Sequence, residues 1–224
     1  MKIRSINELQ DFIDDDLGWR KKELTALMSN IRSARSFAKV TAIRSGITLL
    51  YAHWEGTVKN IATYYLCFVA CQKFPYKQLK RNFLALSAKE EVRLFDDTNK
   101  ATLHNKILNS LFEKNEQKSD IPYENIIKTS GNLKSEIFKE IMTTIGLDYY
   151  QYESSFTLID EVLLNMRNHI AHGEKLEALS LDEKRFEEMY RKIIWLIDAF
   201  AIQVSNAAST KEYLADEYKN CNMS

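Results

Sequence analysis

The segment from Ser36 to Gln72 limits the fold more than any other part of this chain. It contains no proline, and its apolar residues recur every three or four positions. Ile43, Ile47, Leu50, Trp54, Val58, Ile61 and Tyr65 fall on one side of a helix with 3.6 residues per turn. The spacing predicts a long central helix, closed by Pro75. The chain as a whole has only two prolines and six glycines, and 45% of its residues are hydrophobic. These features argue for an all-α helical bundle in a single domain, with few tight turns.

Charge narrows the function classes. There are 31 basic and 31 acidic residues, so no global basic field advertises nucleic acid. An RNA site must be a local patch, sensitive to salt. Met1 to Asp16 carries charge throughout, unlike a secretory leader. The most apolar stretch, Gly46 to Cys71, is interrupted by His53, Glu55, Lys59 and Asn60, which is too polar for a membrane span. Three cysteines, an odd number, suit a reduced cytoplasm. Cys67 and Cys71 lie one turn apart, but no second Cys or His pair shares that spacing, so no metal is expected. No glycine-rich phosphate loop, G-x-S-x-G elbow or H-E-x-x-H motif is present, so no cofactor is expected either.

In chain order, Ser5 to Ser33 predicts an amphipathic helix with a break near Gly18, and Asp14, Asp15 and Asp16 on a solvated face. Tyr51 and Glu55 sit one turn apart on the central helix. Glu55 needs a partner in so apolar a run, either a cation on a neighbouring helix or Arg167 or His172 of the segment described below. Shorter helices are expected over Lys77–Leu86 and Lys100–Glu113. The basic residues Lys73, Lys77, Lys80, Arg81, Lys89 and Arg93 lie around them, and His104 reads as an isolated surface residue. Asn115–Asp120 reads as a loop and Ile121–Asn132 as irregular chain. Leu133–Ile145 predicts a helix capped by Asn132 and stopped by Gly146. Tyr149, Tyr150 and Tyr152 read as packing residues. A last long helix starts at Leu181, with Trp195 a further packing residue, and beyond Ser209 the tail is polar enough to fray. The resulting division is an N-terminal helical segment (1–34), a helical domain (35–208) and a tail (209–224).

The stretch Ser154–Gly173, S-S-F-T-L-I-D-E-V-L-L-N-M-R-N-H-I-A-H-G, carries the chemistry. Ser154 or Ser155 caps the predicted helix and Gly173 stops it. Ile159, Val162, Leu163, Met166 and Ile170 form its buried stripe. On an ideal wheel Arg167, Asn168, Ala171 and His172 lie away from that stripe, with Leu164, Asp160 and Glu161 on the same outward face. His169 flanks the core and reads as a hydrogen-bonded structural histidine.

R-N-H-I-A-H-G resembles the Arg–x4–His signature of the HEPN superfamily, all-α domains that include many metal-independent RNases. Y-A-H-W-E-G-T-V-K-N at 51–60, S-G-N-L-K-S at 130–135 and T-I-G-L-D at 144–148 extend the resemblance, which looks like the MAE-type branch of bacterial HEPN nucleases over about 35–205. The resemblance implies a homodimer with a composite site across its interface. Leu164 and Ala171 would be contact residues there.

Histidine supplies acid or base near neutral pH, and arginine binds two phosphate oxygens while staying charged. His172 is accordingly the expected acid/base, Arg167 the phosphate clamp and Asn168 an orienting amide. Arg167 and His172 lie about 140° apart on one helix, so one copy converges poorly on one atom. The plainer reading pairs Arg167 with Asp160 or Glu161 and makes His172 a helix-end residue. At the level of function, the expectation is an endoribonuclease of a toxin–antitoxin or defence system, with RNA as substrate and an antitoxin or inhibitor as a further partner. The alternative is a non-catalytic HEPN module that binds RNA, nucleotide or protein.

Overall fold

The computed structural model describes residues 1–96, 99–174 and 182–219. Among them the regular elements are helices: α1 (Ile6–Ser33), α2 (Ser36–Gln72), α3 (Arg81–Ser87), α4 (Lys89–Asp96), α5 (Ala101–Glu116), α6 (Ser135–Ile145), α7 (Asn165–Ala171), α8 (Glu183–Ser209) and α9 (Asp216–Lys219). Extended pairing among these residues is confined to two isolated bridges, Pro75 with Lys118 and Leu79 with Leu214. Leu181, the expected start of the last long helix, lies outside the described residues.

The core is built on α2, with α1 and α8 packed along it. Ile13, Leu24 and Ile31 of α1, Ile47, Trp54, Val58 and Tyr65 of α2, and Ile193, Phe200 and Val204 of α8 belong to one buried cluster. Gly46 makes the approach of α8 to α2 possible. A Cβ there would lie 2.8 Å from the Phe186 ring and 2.9 Å from Ile31 Cδ1, and both of those side chains are fully buried. We expect Gly46→Ala to cost about 1–3 kcal/mol through overpacking, against alanine's helix preference of about 1 kcal/mol. A lowered urea midpoint would register the loss, and an unchanged or raised one would contradict this packing.

α1 starts with a capping box. Ser5 Oγ accepts from the Glu8 amide at 3.1 Å, and the Glu8 carboxylate accepts from the Ser5 amide at 3.3 Å. The helix then runs through Gly18 without the expected break. Asp16 is also not on a solvated face, being 6% exposed. Its carboxylate accepts from Arg20 Nε at 2.6 Å, Arg20 Nη2 at 3.1 Å and Asn60 Nδ2 at 2.7 Å. Arg20 lies over the Trp19 ring at 4.6 Å and presents Nη1 to His53 Nδ1 at 3.5 Å. Gly56 gives it room, since a Cβ there would sit 2.6 Å from Arg20 Nη1. His53 Nε2 lies 2.7 Å from the Glu23 carboxylate. Burial holds the His53 pKa below its ordinary value, against the pull of Glu23. His53, Gly56 and Asn60 of the 51–60 block thus serve the α1–α2 contact.

The region after α2 departs from expectation in several places. α4 is a helix beyond those expected from the spacing, and α5 runs on to Glu116. His104 is not isolated, because it stacks on Phe95 with ring centroids 4.1 Å apart. Three of the basic residues have partners: Lys73 pairs with Asp120 and Lys77 with Glu116, while Lys80 donates to the Gly146 carbonyl. From Ser209 to Lys219, the last described residue, the chain docks instead of fraying. Tyr213 and Leu214 are buried, the Lys80 amide donates to the Tyr213 carbonyl, and the Ala215 amide donates to Gln78, both at 2.9 Å. Two large apolar residues outweigh the polar composition around them.

Candidate active site

The site is assembled from one face of α2, the turn before α6, and the helical segment that ends in α7. Arg44, Thr48, Tyr51 and Glu55 follow one another at spacings of three and four and so share that face of α2.

The S-G-N-L-K-S block forms the turn. The Asn132 amide donates to the Thr129 carbonyl at 3.0 Å. Ser130 and Gly131 between them have φ of +54° and +70°, the pattern of a type I′ turn. Neighbouring elements hold this backbone on three sides. The Leu133 amide donates to the Tyr51 hydroxyl at 2.5 Å. The Ser135 amide donates to the Asp160 carboxylate at 2.8 Å, and Ser135 Oγ donates to the same group. Arg167 Nη2 donates to the Gly131 carbonyl. Asn132 therefore does not cap α6, which begins at Ser135. Asp160 takes that role from another element. At the far end Gly146, with φ +74°, stops α6 as expected.

The motif segment changes its winding as it proceeds. Tyr150–Ser155 is 3₁₀, Leu158–Leu164 is π-helical, and α7 follows. Ser154 and Ser155 are thus inside the winding and do not cap it; Ser155 is fully buried. A π segment advances fewer degrees per residue than the ideal wheel, and the phase error accumulates over its seven residues. This overturns the placement of Leu164, which is 2% exposed and packed in the core with Ile159, Leu163 and Met166. Downstream, Ala171 and His172 are exposed as expected.

Arg167 is half-buried. Its guanidinium lies 4.3 Å above the centre of the Tyr51 ring, and Nη1 donates to Asn168 Oδ1 at 2.8 Å. With Gly131, these partners are an aromatic face, an amide and a carbonyl. The pairing with Asp160 or Glu161 does not occur, since Asp160 is committed to Ser135. Among the described residues, no carboxylate forms an ion pair with Arg167. Its charge is positioned without being neutralised, which suits an anion receptor.

His172 ends α7, where Gly173 (φ +75°) reverses the chain. The Glu174 amide donates to the His169 carbonyl and the Gly173 amide to that of Ile170, both at 3.0 Å, a Schellman stop. His169 is hydrogen-bonded, through Nδ1 to Glu174, but its side chain is 41% exposed and not packed in the core. Arg44 Nη1 donates to the Glu174 carbonyl at 2.8 Å. One chain does not bring Arg167 and His172 together: none of the partners of Arg167 is His172.

Glu55 makes no ion pair with another helix among the described residues. It lies beside the hydroxyl of Tyr51, the ring over which Arg167 rests. Burial pushes that hydroxyl up to about 12; the Leu133 amide opposes the rise and the Glu55 charge adds to it. Tyr51, Gly131, Asp160 and Arg44 are the residues whose site roles the spacing alone missed. The 51–60 and 130–135 blocks had marked the first two only as part of a resemblance. Tyr51→Phe keeps the ring under Arg167 but strands the Leu133 amide. The expected cost is about 1–3 kcal/mol, seen as a lowered melting temperature, and an unchanged melting temperature would remove this bond from the account.

Comparison with known families decides the assignment. The RiboL-PSP-HEPN family model matches residues 15–206. The chain belongs to that HEPN family. The match takes in Asp16 and Arg20 of α1, the 51–60 and 130–135 blocks and all of α7. Membership points to an RNase-type or RNA-binding module. The narrower MAE-type likeness remains a resemblance. Neither the curated proteins nor the solved structures gave a match. No helix among the described residues is long and apolar enough to cross a membrane.

Proposed function

We propose that this HEPN protein is a metal-independent endoribonuclease of a toxin or defence system, working in the cytoplasm as a homodimer with a composite site. The observation that supports this most is Arg167, held in place by Tyr51, Gly131 and Asn168 with its charge left uncompensated among the described residues. In the proposed reaction a base takes the proton of the ribose 2′-hydroxyl, and the 2′-oxygen attacks the adjacent phosphorus. The bond to the 5′-oxygen breaks, and that oxygen leaves protonated. His172 moves the proton, Arg167 carries the charge growing on the phosphoryl oxygens, and Asn168 holds the guanidinium. Two motif helices related by a two-fold axis supply the convergence that one chain lacks. Ala171 and His172 lie at that contact, and Leu164 is withdrawn from it.

The test is incubation with RNA in EDTA and analysis of the product ends. Cleavage should persist and leave a 2′,3′-cyclic phosphate or its hydrolysis product. Strict dependence on added Mg²⁺ or Mn²⁺ would overturn the mechanism. RNA binding with no product would favour the non-catalytic module.

A further inference from the structure

A chain with balanced charge needs a local cationic patch to hold RNA. Lys73, Lys77 and Lys80 are poor candidates, because the first two are taken by acids and the third by a carbonyl. The motif helix offers a different pair. Arg167 of α7 and Arg44 of α2 are both half-buried. Each is fixed by a backbone carbonyl, Gly131 for the first and Glu174 for the second. Neither forms an ion pair among the described residues. By contrast, Arg20, Arg32 and Arg191 are each paired with an acid.

Arg167 is carried by α7 itself, and Arg44 reaches the carbonyl of Glu174 just past its C-terminal end. Arg167 rests on Tyr51, and Arg44 lies two helical turns earlier on the same face of α2, about 10 Å along its axis. Arg44 holds the carbonyl of Glu174, two residues past His172, so His172 lies in the chain between Arg167 and the carbonyl that Arg44 holds. A nucleic-acid strand carrying its scissile phosphate at Arg167 would present a neighbouring phosphate toward Arg44.

We propose that Arg44 forms a second phosphate-binding subsite, taking a phosphodiester that flanks the scissile one. This rests on the endoribonuclease reading above. The competing explanation is purely structural: Arg44 pins the Glu174 carbonyl in the turn after α7 and does nothing else. The two differ in their dependence on salt. A phosphate contact releases counterions, so each one lost from a single strand flattens the slope of log K against log salt by about 0.7. A helix cap changes stability and leaves that slope alone.

The experiment measures binding of a short fluorescent single-stranded RNA over a series of KCl concentrations. The protein carries His172→Ala to prevent turnover, with and without Arg44→Gln. Arg44→Gln should flatten the slope by about 0.7 and weaken binding, and Arg44→Lys should restore the slope. In the otherwise native enzyme, Arg44→Gln should raise KM several-fold with little change in kcat. An unchanged slope and KM, in a wild type that binds and cleaves RNA, would overturn the subsite alone. A wild type that neither binds nor cleaves RNA would overturn the endoribonuclease reading as well. If Arg44→Gln does not fold, Arg44→Met is measured in its place and read by the same rule: a slope flattened by about 0.7 supports the subsite, and the parent's slope with binding intact overturns it.

Discussion

His172→Ala and Arg167→Ala should each lower RNA cleavage by about 10²-fold or more, the usual cost of removing an acid/base or a charge-stabilising group. The two variants should differ in stability. His172 is exposed beyond the last turn of α7, so its removal should change stability by less than about 0.5 kcal/mol. Arg167 contacts Tyr51, Asn168 and Gly131, and losing the aromatic contact alone should cost about 0.5–1 kcal/mol. Arg167→Lys keeps the charge but cannot serve the ring, the amide and the carbonyl with one planar fork, so it should recover little activity. Melting curves run beside the kinetics separate the two effects. Full activity in either alanine variant would end the assignment of catalysis to this motif.

Asp16→Ala should give the largest loss of stability, about 3–5 kcal/mol, because it leaves a buried guanidinium without its carboxylate. Asp16 and Arg20 are 6% and 5% exposed, and Asn60 would lose an acceptor as well. The double variant Asp16→Ala/Arg20→Met should recover much of the loss, since replacing a whole buried pair by apolar groups is often neutral. Denaturant unfolding of the single and double variants checks this. A loss under about 1 kcal/mol for the single variant would mean that Arg20 finds water or another acid.

Local periodicity was enough to read the long helices. α2 begins and ends where its apolar spacing and Pro75 placed it, and Gly146 and Gly173 stop their helices with positive φ. These features depend on neighbours within one turn. Asp16 looked like part of a solvated acidic run because its partners include Asn60 on another helix, which spacing along α1 cannot reveal. Asn132 looked like the cap of α6 because it is close in sequence, while Asp160 supplies the contact from 25 positions away. Leu164 departs from its wheel position for a different reason. The wheel assumed one α-helical pitch, and nothing in L-I-D-E-V-L-L announces a π turn. The residue types of the site could therefore be read in advance, but not the contacts that hold Arg167.

The composite site is tested most directly by mixing the two inactive variants. Arg167→Ala and His172→Ala homodimers, each nearly silent, are combined and allowed to exchange subunits. In a mixed dimer that shares groups across the interface, one site has lost both residues and the other keeps an intact Arg167 and an intact His172. Half of the dimers being mixed, with one good site of two, activity should return to about a quarter of the wild-type level. If the exchange is verified and no activity returns, the shared site is contradicted.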